Sequence, residues 1–231
     1  MTKVTHQEVN LLGLVELMHR HLTEALFSRV HTDVRNKERQ RQWTLKYLVQ
    51  FWTAVVLRAP VSLTQALNDA RGLVTDKVRD TFYPPVESTN EAFFEKCRNL
   101  KWQFFHAIYE GFTESILPEA PKNYGSALKH IFERFPDVFV IDGSKCDAIR
   151  HRLKLLWKEK SVVLPGAVTA VYDLAHGITR HLVFSADAAS HELPRALDVL
   201  AGLPKGALVL GDRLYALPKF FRALSENGLW G

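Results

Sequence analysis

Two aspartates follow directly on runs of apolar, mostly β-branched residues. Asp142 follows VFVI at 138–141, and Asp212 follows ALVLG at 207–211. Such runs predict buried strands, and ligands of open α/β sheets gather beyond the carboxyl ends of the strands. Two hard carboxylates that converge suit Mg²⁺ or Mn²⁺. Paired ions held in this way activate an attacking hydroxyl and stabilise the leaving oxygen of a phosphodiester.

An aspartate after a strand also has a purely structural use, because its side chain can cap the following turn through the backbone. For either aspartate alone, this structural role is the favoured interpretation. The two together, on strands expected to be neighbours, favour a metal site. A divalent ion relieves the repulsion between the two carboxylates.

Basic residues are concentrated in two stretches. One lies at the start of a predicted helix, and the other follows the strand that carries Asp142. Both suit contacts with DNA phosphates, and both also suit a solvated helix surface, so the two interpretations stay open. The candidate DNA-binding residues, with Arg213 beside the second aspartate, are Arg35, Lys37, Arg39, Arg41, Lys145, Arg150, Arg152, Lys154 and Arg213.

The composition is that of an ordinary globular protein, with 231 residues of which 47% are hydrophobic and 24% charged. A net charge of +5 permits a nucleic-acid partner without requiring one. Two cysteines, Cys97 and Cys146, do not form a disulfide framework, so we expect a reducing cytoplasm. No apolar run approaches the roughly 20 residues that span a membrane, and the first residues lack a signal-peptide pattern. We therefore expect no membrane association.

The N-terminal half has the apolar spacing of helices. We predict one helix with an apolar stripe from Leu11 to Leu26 and a second over residues 38–58. A third opens at the capping box of Ser62 and ends near Gly72, and a long fourth runs from 88 to just before 118. Residues 1–118 are thus predicted to be a helical DNA-binding region, in which no base-reading helix is identified.

The C-terminal half alternates short strands and helices. After a linker and short helix at 119–135, we predict strands at 138–144, 167–174 and 178–185, a helix within 191–203, a strand at 207–211 and a helix at 216–227. This β-β-β-α-β-α order resembles a ribonuclease H-like fold, in which the first and fourth strands are neighbours. The predicted fold class is α+β or α/β: an all-helical domain, then an incomplete ribonuclease H-like mixed sheet over residues 136–231.

Three segments of this half resemble the catalytic core of DDE transposases of the insertion-sequence-four type. They are VFVIDGSK at 138–145, the hairpin and loop at 167–192, and ALVLGDRLYALPKFFRAL at 207–224. The resemblance implies that Asp142 and Asp212 are the first and second catalytic acids. Arg213 and Tyr215 match residues that trail the second acid, whereas Leu214 stands where the family usually has glycine. The segment 190–192, Ser-His-Glu, is similar to a family segment to which we assign no role.

The resemblance also implies a bacterial, cytoplasmic, nucleoid-associated protein that cleaves and transfers DNA strands at terminal inverted repeats with Mg²⁺ or Mn²⁺. Homodimerisation is left open. The family's third acid is a glutamate on a helix further downstream, and the sequence ends before such a helix. Glu226 comes too early for that pattern. We therefore expect a front part of a transposase, cut by a frameshift or gene break, without strand-transfer activity.

Two other functions are kept as alternatives. One is a truncated DNA-binding protein that inhibits transposition by occupying transposon ends. The other is an unrelated ribonuclease H-like nuclease, which would need a full set of acids. A phosphatase that forms an aspartyl phosphate is disfavoured, because Ser144 stands where its second aspartate would be.

Overall fold

The computed structural model of the protein describes residues 11–34, 42–75, 82–146, 166–187 and 189–231. Contacts between residues divide the chain into two units, which meet in sequence between Ser115 and Ile116. Within the described ranges, no helix is both long and apolar enough to cross a membrane.

The first part of the chain is helical, as predicted. Its described helices are α1 Leu11–His21, α2 Glu24–Val34, α3 Leu45–Arg58, α4 Leu63–Thr75, α5 Asn90–Asn99 and α6 Trp102–Ile116. The best-defined ends belong to α3, where the Thr44 hydroxyl accepts a hydrogen bond from the Tyr47 N–H and Ala59 closes the helix in the left-handed conformation at φ 46°. A polar cap and a left-handed stop before proline are both common helix ends.

Four predicted helix bounds were wrong. The stripe from Leu11 to Leu26 is split between α1 and α2, because the Thr23 hydroxyl accepts a hydrogen bond from the Leu26 N–H and starts a new helix. The long fourth helix is split between α5 and α6, because Leu100 is extended at ψ 129°. The second helix begins at residue 45 rather than 38, and α4 continues past Gly72.

Aromatic side chains fill the core of this helical unit. Leu48, Phe51 and Phe104 have no exposed surface. The ring of Trp43 lies 5.4 Å from that of Phe51 and 5.0 Å from that of Phe93, in edge-to-face arrangements. Such pairs add to the stabilisation that burial alone gives.

The second unit is built around a four-stranded mixed sheet. After α7 (Lys129–Arg134) come β1 (Val138–Lys145), β2 (Ala167–Asp173), β3 (Ile178–Ser185), α8 (Glu192–Leu200), β4 (Leu208–Gly211) and α9 (Pro218–Glu226). The sheet order is β3-β2-β1-β4, with β1 and β4 parallel and the other pairs antiparallel. This arrangement confirms the predicted order β-β-β-α-β-α and the predicted α+β fold class.

Helices α8 and α9 cover one face of this sheet. Phe139 and Ile141 of β1 pack there with Leu200 of α8 and Phe220 of α9. The residues of β1 that alternate with these two, Val138, Val140 and Asp142, point to the other face, since side chains alternate along a strand. On that other face Val138 packs with Phe132 of α7.

The chain end adds one more pairing to the sheet. Trp230 forms an isolated parallel bridge with Leu208, through hydrogen bonds from the Val209 N–H to the Trp230 carbonyl and from the Trp230 N–H to the Ala207 carbonyl.

Candidate functional site

Asp142 lies inside β1 rather than at its end. The strand runs on to Lys145 because its antiparallel pairing with β2 continues that far. The prediction that Asp142 stands at the carboxyl end of its strand was wrong for this reason. The parallel pairing with β4, in contrast, ends at Ile141. Asp142 is therefore the first residue of β1 beyond the pairing with β4, and its side chain is exposed.

Asp212 follows β4 and precedes a short 3₁₀ helix, Arg213–Tyr215. Its backbone is extended, and its Oδ1 accepts a hydrogen bond from the Leu214 N–H at 2.8 Å. This contact caps the turn through the backbone, which is the structural role expected of an aspartate after a strand. The carboxylate is exposed and has a second oxygen, so it can accept another ligand while it caps the turn.

The strand register brings the two aspartates to the same end of the sheet. The last residues of the parallel ladder are Ile141 and Gly211, which lie opposite each other, and each aspartate is the next residue along its strand. Neighbouring strands lie about 4.8 Å apart. The backbones of Asp142 and Asp212 therefore leave the ladder side by side.

A third carboxylate reaches this end of the sheet from the first turn of α8. The carboxylate of Glu192 lies against the backbone of Gly143, at the point that a Cβ atom would occupy. The hydroxyl of Tyr215 donates a hydrogen bond to Glu192 Oε1. Helix α8 and the 3₁₀ helix thus both bring polar groups beside the residue that follows Asp142.

The phenol of Tyr215 is hydrogen-bonded to Glu192, and the charges of two further acids act on it. The side chain is 3% exposed, and this burial raises the pKa of the phenol above its ordinary value. The hydrogen bond to Glu192 raises that pKa further, as do the charges of Glu192, Asp142 and Asp212. The phenol therefore stays protonated and donates its hydrogen bond at neutral pH.

Two of the candidate DNA-binding residues fall in the described part of the chain. Lys145 is the last residue of β1, and Arg213 directly follows Asp212; both side chains are exposed. The remaining candidates lie outside the described residues, so their role stays a prediction: Arg35, Lys37, Arg39, Arg41, Arg150, Arg152 and Lys154.

The region that contains the sheet is similar to a known family. Residues 133–229 match the family model of the transposase DDE domain. This match, which we call the DDE-domain region, covers less than half of the chain and includes all four strands with Asp142, Glu192 and Asp212. It supports a DDE transposase. No curated protein and no solved structure matches the chain.

The donors of the DDE-domain region suit a hard divalent cation. Asp142 and Asp212 offer only oxygen ligands, and Mg²⁺ commonly takes one or two carboxylates with water and substrate phosphates around it. Across the part of the chain that the structure describes, no three His, Cys, Asp or Glu side chains form a ready-made metal centre. A shared ion at Asp142 and Asp212 therefore stays a prediction, which the type of their donor atoms favours.

Sequence reasoning did not assign Glu192 to this site. Its only signal was the similarity of residues 190–192 to a family segment. The approach of Glu192 depends on the missing side chain of Gly143 and on where α8 begins, and spacing in the sequence shows neither. Glu226, which was considered as a third acid and disfavoured, is the last residue of α9 and lies a helix length beyond the 3₁₀ helix.

Proposed function

We propose that the protein is a DNA transposase of the insertion-sequence-four type, with Asp142 and Asp212 as its catalytic carboxylates. Its substrate is the terminal inverted repeats of an insertion sequence at the bacterial nucleoid, and its cofactor is Mg²⁺ or Mn²⁺. The observation that supports this most is the parallel register, which leaves both aspartates just beyond the β1–β4 ladder inside the DDE-domain region.

The residues of the chain have distinct tasks in this proposal. Bound divalent ions supply the charge that activates the attacking hydroxyl and stabilises the leaving oxygen. Asp142 and Asp212 hold that charge at one end of the sheet. Arg213 is exposed beside Asp212 and offers a planar, permanently charged group to a phosphate of the bound strand. Lys145 offers a point charge to the same backbone from β1.

The experiment measures binding and nicking of DNA separately. Labelled duplexes that carry the inverted repeats flanking the coding sequence are compared with scrambled duplexes. Binding is measured in Ca²⁺, and nicking is measured in Mn²⁺. We expect tighter binding to the repeats, and equal binding to both duplexes would contradict the proposal. Any nicking should be lost in Asp142→Asn and kept in the exposed-residue control Asp198→Asn. Binding without nicking would favour the alternative of an inhibitory DNA-binding protein.

The basic stretch at residues 35–41 supplies a prediction about that binding. Alanine at Arg35, Lys37, Arg39 and Arg41 should weaken DNA binding and flatten its salt dependence, because each lost phosphate contact lowers the slope of log K against log salt by about 0.9. A control carries alanine at four lysines that the structure shows as exposed, namely Lys101, Lys129, Lys205 and Lys219. Equal slopes in the two variants would show that the stretch is only a solvated surface.

A further inference from the structure

We propose that Glu192 and Tyr215 are positioning residues. Their hydrogen bond links the end of β1 to the end of β4 and so sets the spacing of Asp142 and Asp212; we call this link the Glu192–Tyr215 tie. The inference rests on the proposed function for what the two aspartates do, whereas the tie itself concerns only contacts within the fold. In this role neither positioning residue needs to touch an ion or DNA.

The backbone pairing of β1 with β4 stops just before both aspartates. Its last paired residues are Ile141 and Gly211. Strand β1 continues in its pairing with β2, whereas the chain after β4 leaves the sheet through Asp212 and the 3₁₀ helix. Segments at the end of a ladder open more readily than its middle. Contacts outside the ladder must therefore hold Asp212 at a fixed distance from β1.

Two glycines allow the tie to lie against both strands. A Cβ atom at Gly211 would lie 2.7 Å from Cδ2 of the Tyr215 ring, and a Cβ atom at Gly143 would fall on the carboxylate of Glu192. Neither glycine has a positive φ, so these positions require space rather than an unusual backbone. The Tyr215 hydroxyl donates its hydrogen bond to Glu192 Oε1, which joins the contact on β4 to the contact on β1.

The tie lies behind Asp142 rather than beside its carboxylate. Gly143 alternates with Asp142 along β1, so Glu192 occupies the face that α8 and α9 cover, while Asp142 points to the other face. Tyr215 is buried in the core of the covered face, and its N–H donates a hydrogen bond to the Asp212 carbonyl at 3.1 Å. The tie therefore acts on both aspartates through the backbone.

Hydrogen–deuterium exchange of the full-length chain, read by mass spectrometry on peptides that contain residues 141–145 or 210–215, tests the tie. Tyr215→Phe keeps the ring and removes the hydroxyl, so exchange at both strand ends should be roughly tenfold faster. Glu192→Ala should match it. Glu192→Gln should stay near the wild type, because an amide oxygen accepts the same hydrogen bond. The matched control is Tyr172→Phe, since Tyr172 of β2 is 38% exposed.

Substitution of the glycines tests the tie from the side of the strands. Gly143→Ala changes β1 and should displace the Glu192 carboxylate, so the tie predicts faster exchange on the other strand, at residues 210–215. Gly211→Ala should act in the reverse direction, on residues 141–145. The control Gly125→Ala should change neither, because Gly125 has φ −61° and no atom within 4 Å of an added Cβ. If Glu192→Ala does not fold, the glycine variants decide the question.

A role in stability alone predicts a different pattern. Tyr215→Phe would then raise exchange evenly over the whole sheet, including the β2–β3 hairpin. Glu192→Gln would exchange as fast as Glu192→Ala, because the exact acceptor rather than the link between the strands would matter. Either result would overturn the inference.

Mn²⁺ binding to the wild type and to Asp142→Asn, measured by isothermal titration calorimetry, reports on the proposed function separately. If Asp142→Asn loses affinity and Tyr215→Phe leaves exchange at the strand ends unchanged, the inference is wrong and the proposed function stands. If Tyr215→Phe speeds exchange at both strand ends and Asp142→Asn binds Mn²⁺ like the wild type, the tie is supported and the proposed function is contradicted.

Discussion

At the scale of single residues, surroundings give the aspartates of this sheet opposite roles. Asp173 is 1% exposed and accepts hydrogen bonds from the N–H groups of Ala175 and His176, at 3.0 and 3.1 Å. Its second oxygen lies 2.8 Å from His176 Nδ1 and 3.5 Å from Arg180 Nη1. These partners satisfy the carboxylate, so Asp173 fixes the β2–β3 turn. Asp142 and Asp212 are exposed instead, which leaves them able to bind a ligand.

The structural role of Asp173 makes a prediction about stability. Asp173→Ala leaves buried N–H donors without an acceptor, which costs about 1–3 kcal/mol and more where a charged partner is involved. We expect the free energy of unfolding in urea to fall by about that amount. The exposed Asp198→Ala should change it by no more than about 0.5 kcal/mol. Equal effects in the two variants would contradict the assignment.

At the scale of elements, the sequence predicted the strands well because β-branched runs and turn residues mark them. The hairpin of β2 and β3 was predicted to within a residue, since Gly177, at φ 68°, marks its turn. The helix breaks at Thr23 and Leu100 were missed. Apolar residues continue at helical spacing across both breaks, so periodicity gives no sign of them. The first break is set by the hydroxyl cap of Thr23, and the second is set by the extended backbone of Leu100.

The packing of α8 on the sheet makes a second prediction about stability. Leu200 has no exposed surface and lies in the core with Phe139 and Val209. Leu200→Ala should lower the free energy of unfolding by about 2–5 kcal/mol, because it removes buried methyl groups and leaves a cavity. Leu214→Ala is the matched control, since Leu214 is 67% exposed. A loss at Leu200 no larger than that at Leu214 would contradict the placement of α8 in the core.

The candidate site is less predictable than the elements that build it. The placement of Asp142 and Asp212 just beyond the β1–β4 pairing was predictable, because each follows a strand-like run; their role as a site stays a prediction. The placement of Glu192 was not predictable, because it depends on a contact between α8 and Gly143 that only the folded chain creates. Acids separated in sequence come together through strand register and helix start positions, and neither follows from local spacing.

At the scale of the whole molecule, the family match and the predicted DNA-binding surface concern different parts of the chain. The match covers residues 133–229, whereas the basic stretch at 35–41 belongs to the N-terminal half. Apolar periodicity fixes which face of a helix is buried, but it does not fix which exposed cations meet a phosphate. The DNA-binding role of residues 1–118 therefore stays a prediction, to be decided by the salt dependence of binding.

The proposed function depends on Asp142 and Asp212 sharing one divalent ion. A crystal structure of the full-length chain grown with Mn²⁺, with anomalous data collected at the manganese edge, measures this arrangement. We predict an anomalous peak about 2 Å from a carboxylate oxygen of each aspartate. The assignment would be contradicted by a peak that is bound to neither aspartate. It would also be contradicted by carboxylates more than about 10 Å apart, which is wider than two metal ions spaced at about 3.5–4 Å need.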